Sequence, residues 1–165
     1  MDWTIHIGVV VSEIANFMGL VTRFEEGGRK DAILRSTEGD EIAVEWEWNG
    51  VWRANELEKL IKHEVRPKGK ERLKYAVLIT YTHPPNIQRV YDHVMEEWEG
   101  ARWPLLLILI DLLEKPKSQF TMHKEFQNIQ MSVFSAGEKA GRTQLRSVPA
   151  FPWEIPGTSW SYRSK

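Results

Sequence analysis

The sequence predicts an α/β protein: a central mixed β-sheet, an antiparallel three-stranded meander plus a parallel βαβ unit, flanked by helices. Two observations predict it. Residues 21–48 divide into short strand-like segments separated by turn residues, as in strands joined by tight hairpins. Farther on, YAVLITY (75–81) and PLLLILIDLL (104–113) are continuous apolar runs on either side of an amphipathic helical stretch. Such runs mark parallel strands covered on both faces and joined by a crossover helix.

The elements follow in order. Trp3, Ile7, Val10, Val11, Ile14, Phe17 and Met18 recur at helical spacing, and Gly19 is positioned to end the helix. VTRFEE (21–26) reads as a strand, Gly27-Gly28 as a hairpin turn and RKDAILR (29–35) as a second strand. STEG (36–39) is a short turn, and DEIAVEWEW (40–48) is the third strand, broken by Asn49-Gly50. Asn55 with Glu58 forms a capping-box pattern before a helix whose stripe is Leu57, Leu60, Ile61 and Val65, stopped by Pro67. After the first apolar run, Pro84-Pro85 open a helix with Ile87, Val90, Tyr91, Val94, Met95 and Trp98 on one side. QFTMHKEFQNIQMSVFS (119–135) alternates imperfectly and reads as a further strand or hairpin. Residues 1–150 form one domain, and 151–165, rich in Pro, Ser and Trp, read as an irregular tail.

At 165 residues the chain can bury a substantial core, and 42% hydrophobic with 27% charged residues is ordinary for a globular protein. The absence of Cys excludes disulfides and thiolate metal sites. No basic segment followed by an apolar stretch opens the chain, and LLLILI (105–110) is too short to span a bilayer. A cytoplasmic protein with no membrane partner is expected. Net charge is −1, but residues 1–48 carry four basic and ten acidic side chains, whereas 115–165 carry eight and three. Basic residues also crowd 59–74. An acidic centre between basic segments lets phosphates approach a carboxylate-held cation; the plain alternative is two solvated faces.

Glu45 and Glu47 carry the sharpest chemical signal. On a strand, side chains two apart share a face about 7 Å from each other. Like charges at that range resist joint ionisation unless solvated or bridged by a cation, and a hard cation such as Mg²⁺ prefers oxygen ligands. A hairpin ending at Gly39 also sets Asp31 opposite Glu45, so Asp31, Glu45 and Glu47 converge on one patch of sheet. The alternative is an acidic solvent face on a half-exposed strand.

The order helix, three-stranded meander, helix, strand, helix, strand resembles the PD-(D/E)XK nuclease superfamily, the restriction-endonuclease-like fold. An acid on the second strand, Asp31, and an acid-x-charged pair on the third, Glu45 and Glu47, match its motif. Glu47 stands where the superfamily usually has lysine, and the resemblance spans roughly residues 1–113. It implies a Mg²⁺-dependent endonuclease, with Mn²⁺ as substitute, that cleaves DNA. Asp31 and Glu45 would bind the metal, helped by the main-chain carbonyl of Trp46. Glu47 would bind a second metal or position water, and Glu13 on the first helix would support the site. Lys59 or Lys62 would supply the charge that Glu47 lacks, although both also read as plain surface lysines. Lys59, Lys62, Lys68, Lys70 and Lys74 would contact DNA phosphates. Two alternatives stand beside this reading. One is a catalytically inactive nuclease-like protein that binds nucleic acid or a protein partner, for which Trp46, Trp48 and Trp52 offer a docking surface, although Trp46 and Trp48 share the face of Ile42 and Val44 opposite the acids and so also read as core. The other is a homodimer that uses the apolar tail.

Other chemistries find little support. No two of His6, His63, His83, His93 and His123 stand at ligand spacing on one helix, and neither GxSxG nor GxxxxGK[ST] occurs. His83, before Pro84-Pro85 at a strand end, is a candidate substrate contact.

Overall fold

A computed structural model describes residues 3–25, 30–47, 55–66, 73–112 and 126–149. Their strands form one seven-stranded mixed sheet in which spatial order follows chain order. Helix α1 (Trp3–Phe17) comes first, and Gly19 follows it at φ +70°, a left-handed conformation that glycine adopts without strain. The meander is β1 (Val21–Phe24), β2 (Ala32–Ser36) and β3 (Gly39–Glu47), paired antiparallel. After α2 (Glu56–Ile61) the chain enters β4 (Tyr75–Thr82), parallel to β3. A 3₁₀ turn at Pro84–Asn86 leads into α3 (Ile87–Glu97) and then β5 (Leu105–Leu112), parallel to β4. Antiparallel β6 (Phe126–Phe134) and β7 (Arg142–Pro149) complete the sheet. No described helix is long and apolar enough to cross a membrane.

The expected α/β architecture with a mixed sheet is present, and four details depart from expectation. First, the hairpin between β2 and β3 has a two-residue turn, with Ser36 paired to Gly39. A bulge between Leu34 and Arg35 absorbs the difference, because Ala32 still pairs with Val44 and Ile33 with Ala43. Continued by one residue, that register sets Asp31 opposite Glu45. Second, Asn55 makes no side-chain capping bond, and Glu58 instead pairs with Lys62. Third, β7 has no apolar alternation, because an edge strand whose side chains are mostly exposed needs none.

The fourth departure concerns the cover of the sheet. On one face, α2 and α3 bury Ile33, Ala43, Leu57, Leu60, Leu78, Val94, Trp98, Trp103, Leu105 and Leu107. The Trp98 indole N–H donates to the Trp103 carbonyl at 3.0 Å, so one of the two fully buried tryptophans is also satisfied. On the other face, α1 packs Val11 and Ala15 on Ala32, Leu34, Ile42 and Val44, with Trp46 alongside. Trp46 therefore lies on the apolar side opposite the acids, as its alternation predicts; Trp48 and Trp52 lie outside the described residues. Leu105, Leu107 and Leu109 are fully buried, yet the alternating Leu106, Ile108 and Ile110 stay partly exposed. The double-sided cover expected of β4 and β5 is thus one-sided among the described residues. The reason is that α1 lies over the first strands only.

Because β3, β4 and β5 run parallel, their C-terminal ends share one edge of the sheet, where ligands bind in open α/β sheets. Glu45, beside Leu78, stands near that edge on the face beneath α2.

Candidate metal centre

Three carboxylates meet at this edge. Asp31 stands immediately before β2, and its Oδ2 accepts the Trp46 N–H at 2.7 Å, which ties the start of one strand to the end of the next. Glu45 follows Ala43 on the buried face of β3 and is itself fully buried. Glu56 opens α2 and is buried as well. One carboxylate oxygen from each of the three lies within 4.8 Å of the others. Lys59, one helical turn beyond Glu56, brings its Nζ to 2.6 Å from Glu56 Oε2 and 3.6 Å from Glu45 Oε2.

The charges do not balance. Burial, then the adjoining Glu56 carboxylate, then the charge of Asp31 push the Glu45 carboxyl up to about 10, against the pull of Lys59. Burial also raises Asp31, although the Trp46 N–H works to lower it. Burial works to lower the Lys59 ammonium, but Glu56 and Glu45 outweigh it and hold the ammonium above its ordinary value. Lys59 pairs with these acids directly, and the buried Lys30 adds a second positive charge felt by Glu45. Among the described residues neither buried Glu45 oxygen has a donor at hydrogen-bond distance, the Lys59 ammonium standing 3.6 Å away, an arrangement costly for a carboxylate unless more positive charge is supplied. A hard cation with oxygen ligands fits this donor set.

A cleft of about 490 Å³ adjoins the cluster, lined by Lys30, Asn55, Glu58, Lys59, Lys62, Glu64 and Arg66. Lys30 is almost wholly buried in it, and that burial lowers its pKa although Glu45 draws it upward.

The structure distributes the expected site residues unevenly. Asp31 and Glu45 come together, and Trp46 contributes its main-chain N–H to Asp31. Glu47, at the end of β3, is not among the three clustered acids; its carbonyl accepts the Thr80 hydroxyl at 3.1 Å. Glu13 is exposed and is not brought to the cluster. It stands two residues from both Val11 and Ala15, hence about 200° round the helix from its packed side. Lys59 joins the acids, whereas Lys62 projects outward and pairs with Glu58. Lys74 pairs with Glu41 at 3.1 Å, four residues down β3 and so about 13 Å along the strand from Glu45. Lys68 and Lys70 lie outside the described residues. His83 is exposed before the 3₁₀ turn. His63 is a buried side chain instead, its Nε2 3.2 Å from Asp40 Oδ2 and its pKa lowered by burial.

Glu56 was not anticipated as a site residue. The signal for it is topological: a helix that returns the chain to a parallel strand must begin at the C-terminal end of the strand before it. Its first turn therefore overhangs the end of β3, beside Glu45.

No family model, curated protein or solved structure matches this chain.

Proposed function

We propose that the protein is a metal-dependent endonuclease of the restriction-endonuclease-like kind, cleaving DNA phosphodiester bonds with Mg²⁺. The observation that carries this reading is the convergence of Asp31, Glu45 and Glu56, with both Glu45 oxygens buried and, among the described residues, given no hydrogen-bond donor. The meander followed by parallel β4 and β5 supports the same fold reading.

In this mechanism Asp31, Glu45 and Glu56 hold the cation, helped by the Trp46 carbonyl. When bound, the cation supplies Lewis-acid activation of the attacking water and neutralises charge developing on the phosphate. Lys59 stays protonated, as its raised pKa requires, and so donates to a phosphate oxygen and takes no proton. Glu47, or a neighbouring phosphate of the substrate, accepts the proton from water. Lys62, Arg66 and Lys30 line the path of the flanking phosphates, giving affinity without sequence preference.

Nicking of supercoiled plasmid with Mg²⁺ or Mn²⁺ tests this reading. The expected result is strand cleavage that falls by about 10³-fold, several kcal/mol of transition-state stabilisation, in Asp31→Asn, Glu45→Gln and Glu56→Gln. Cleavage undiminished in Glu45→Gln contradicts it.

A second reading, a catalytically inactive nuclease-like protein that binds nucleic acid or a partner, draws on one observation: Lys59 already occupies the cluster. In that case DNA binds without cleavage, and neither Mg²⁺ nor Mn²⁺ raises the melting temperature.

A further inference from the structure

The face of the sheet opposite the carboxylates poses a separate question. Beside α1 runs a groove of about 330 Å³ whose floor is Leu34, Val77, Ile79, Leu106 and Ile108, with Leu145 on its lining. All of its lining residues are apolar or aromatic, and no described element covers it. The helix along its side is apolar on two sides. Val11 and Ala15 are buried against the sheet, while Val10, Ile14 and Met18 are more than half exposed and Phe17 is 94% exposed. Val10, Ile14 and Phe17 stand at i, i+4 and i+7, one continuous stripe. A helix apolar on both sides is ordinarily covered on both.

Groove and stripe adjoin each other on one chain, so a two-fold axis beside α1 would lay the stripe of each copy into the groove of the other. That is the self-complementary arrangement of an isologous dimer. Aromatic side chains present about 150–250 Å² each, and aliphatic ones less. The exposures of Val10, Ile14, Phe17, Met18, Tyr75 and Leu145, with the partly buried floor, then offer on the order of 800 Å², what each partner of a stable interface contributes. A short peptide strand would fill the groove but leave the stripe bare; a second copy covers both.

We infer that the chain is a homodimer joined through the outer stripe of α1 and the open face of β4, β5 and β6. The inference is independent of the nuclease reading, since these residues lie across the sheet from the acids. Light scattering on the full-length protein at micromolar concentration tests it. Twice the chain mass is expected, halved in both Phe17→Lys and Leu145→Lys, with circular dichroism and melting in dilute solution unchanged. Both side chains are exposed in the single chain, so neither substitution disturbs its fold. A monomeric wild type overturns the inference, as does a dimer that survives both substitutions. A monomer that loses melting temperature when Trp153 and Trp160 become Ala assigns the groove to the chain's own 150–165 segment and overturns it equally.

Discussion

The Glu45 carboxyl, buried among other acids, couples folding to pH. Its folded pKa, near 10, lies above its ordinary 4.5, so without metal the folded state holds a proton that the unfolded chain gives up. Folding is therefore least penalised below pH 4.5, and stability falls as pH rises from there toward 10. Melting curves of the metal-free protein across that range should show the decline. In Glu45→Gln it should be largely absent, and at the alkaline end the variant should melt above the wild type. Lys59 keeps Glu56 at 2.6 Å in that variant, so no lone ammonium offsets the gain. Asp40 is the contrasting case, a buried acid whose partners are all supplied by the chain. It accepts from Arg35 Nε at 2.7 Å and the Arg66 N–H at 3.1 Å, with His63 Nε2 at 3.2 Å. Asp40→Ala should cost about 2–3 kcal/mol in urea unfolding, below the 3–5 of a fully buried pair because Arg35 is partly exposed. Any metal response should survive it. Asp31 and Glu45 were legible as neighbours because strand alternation and hairpin register are local rules. Glu56 was not, since its position depends on how a helix crosses to a non-local strand.

Elements behave as their surroundings dictate, and two of them separate sequence propensity from tertiary structure. Asn55 followed by Glu58 is a sequence-level cap, yet the Asn55 side chain makes no capping bond and Glu58 faces Lys62. Asn55→Ala should therefore cost less than about 0.5 kcal/mol, where a working cap costs about 1. In β5 the aliphatic run gave no hint that its two faces differ. Leu107 is fully buried under the α2–α3 layer, and Leu106 lies in the open groove. Leu107→Ala should cost about 2–5 kcal/mol, and Leu106→Ala about 1 when measured in the Phe17→Lys background, where the groove stays open. Equal costs would mean that the groove is covered in the single chain.

At the scale of the molecule, the sheet has two contrasting sides. One carries the acids and the basic cleft, and the other carries apolar surface beside α1. If the cleft guides DNA, binding measured with Ca²⁺ in place of Mg²⁺ should weaken linearly with the logarithm of salt concentration. Lys62→Ala and Arg66→Ala should each reduce that slope by about one. An undiminished slope in both would remove the cleft from the DNA path. The meander, the crossover helices and the parallel pair were readable because hydrophobic period and turn residues announce them. Edge strand β7 and the extent of α1's cover were not, since both follow from how the finished sheet is packed. Whether the three clustered acids bind a cation is tested most directly by calorimetric titration with Mn²⁺ at mildly alkaline pH. Stoichiometric binding with release of protons, abolished in Glu45→Gln, is the predicted result. Absence of binding to the wild type, or binding unchanged in Glu45→Gln, would contradict it.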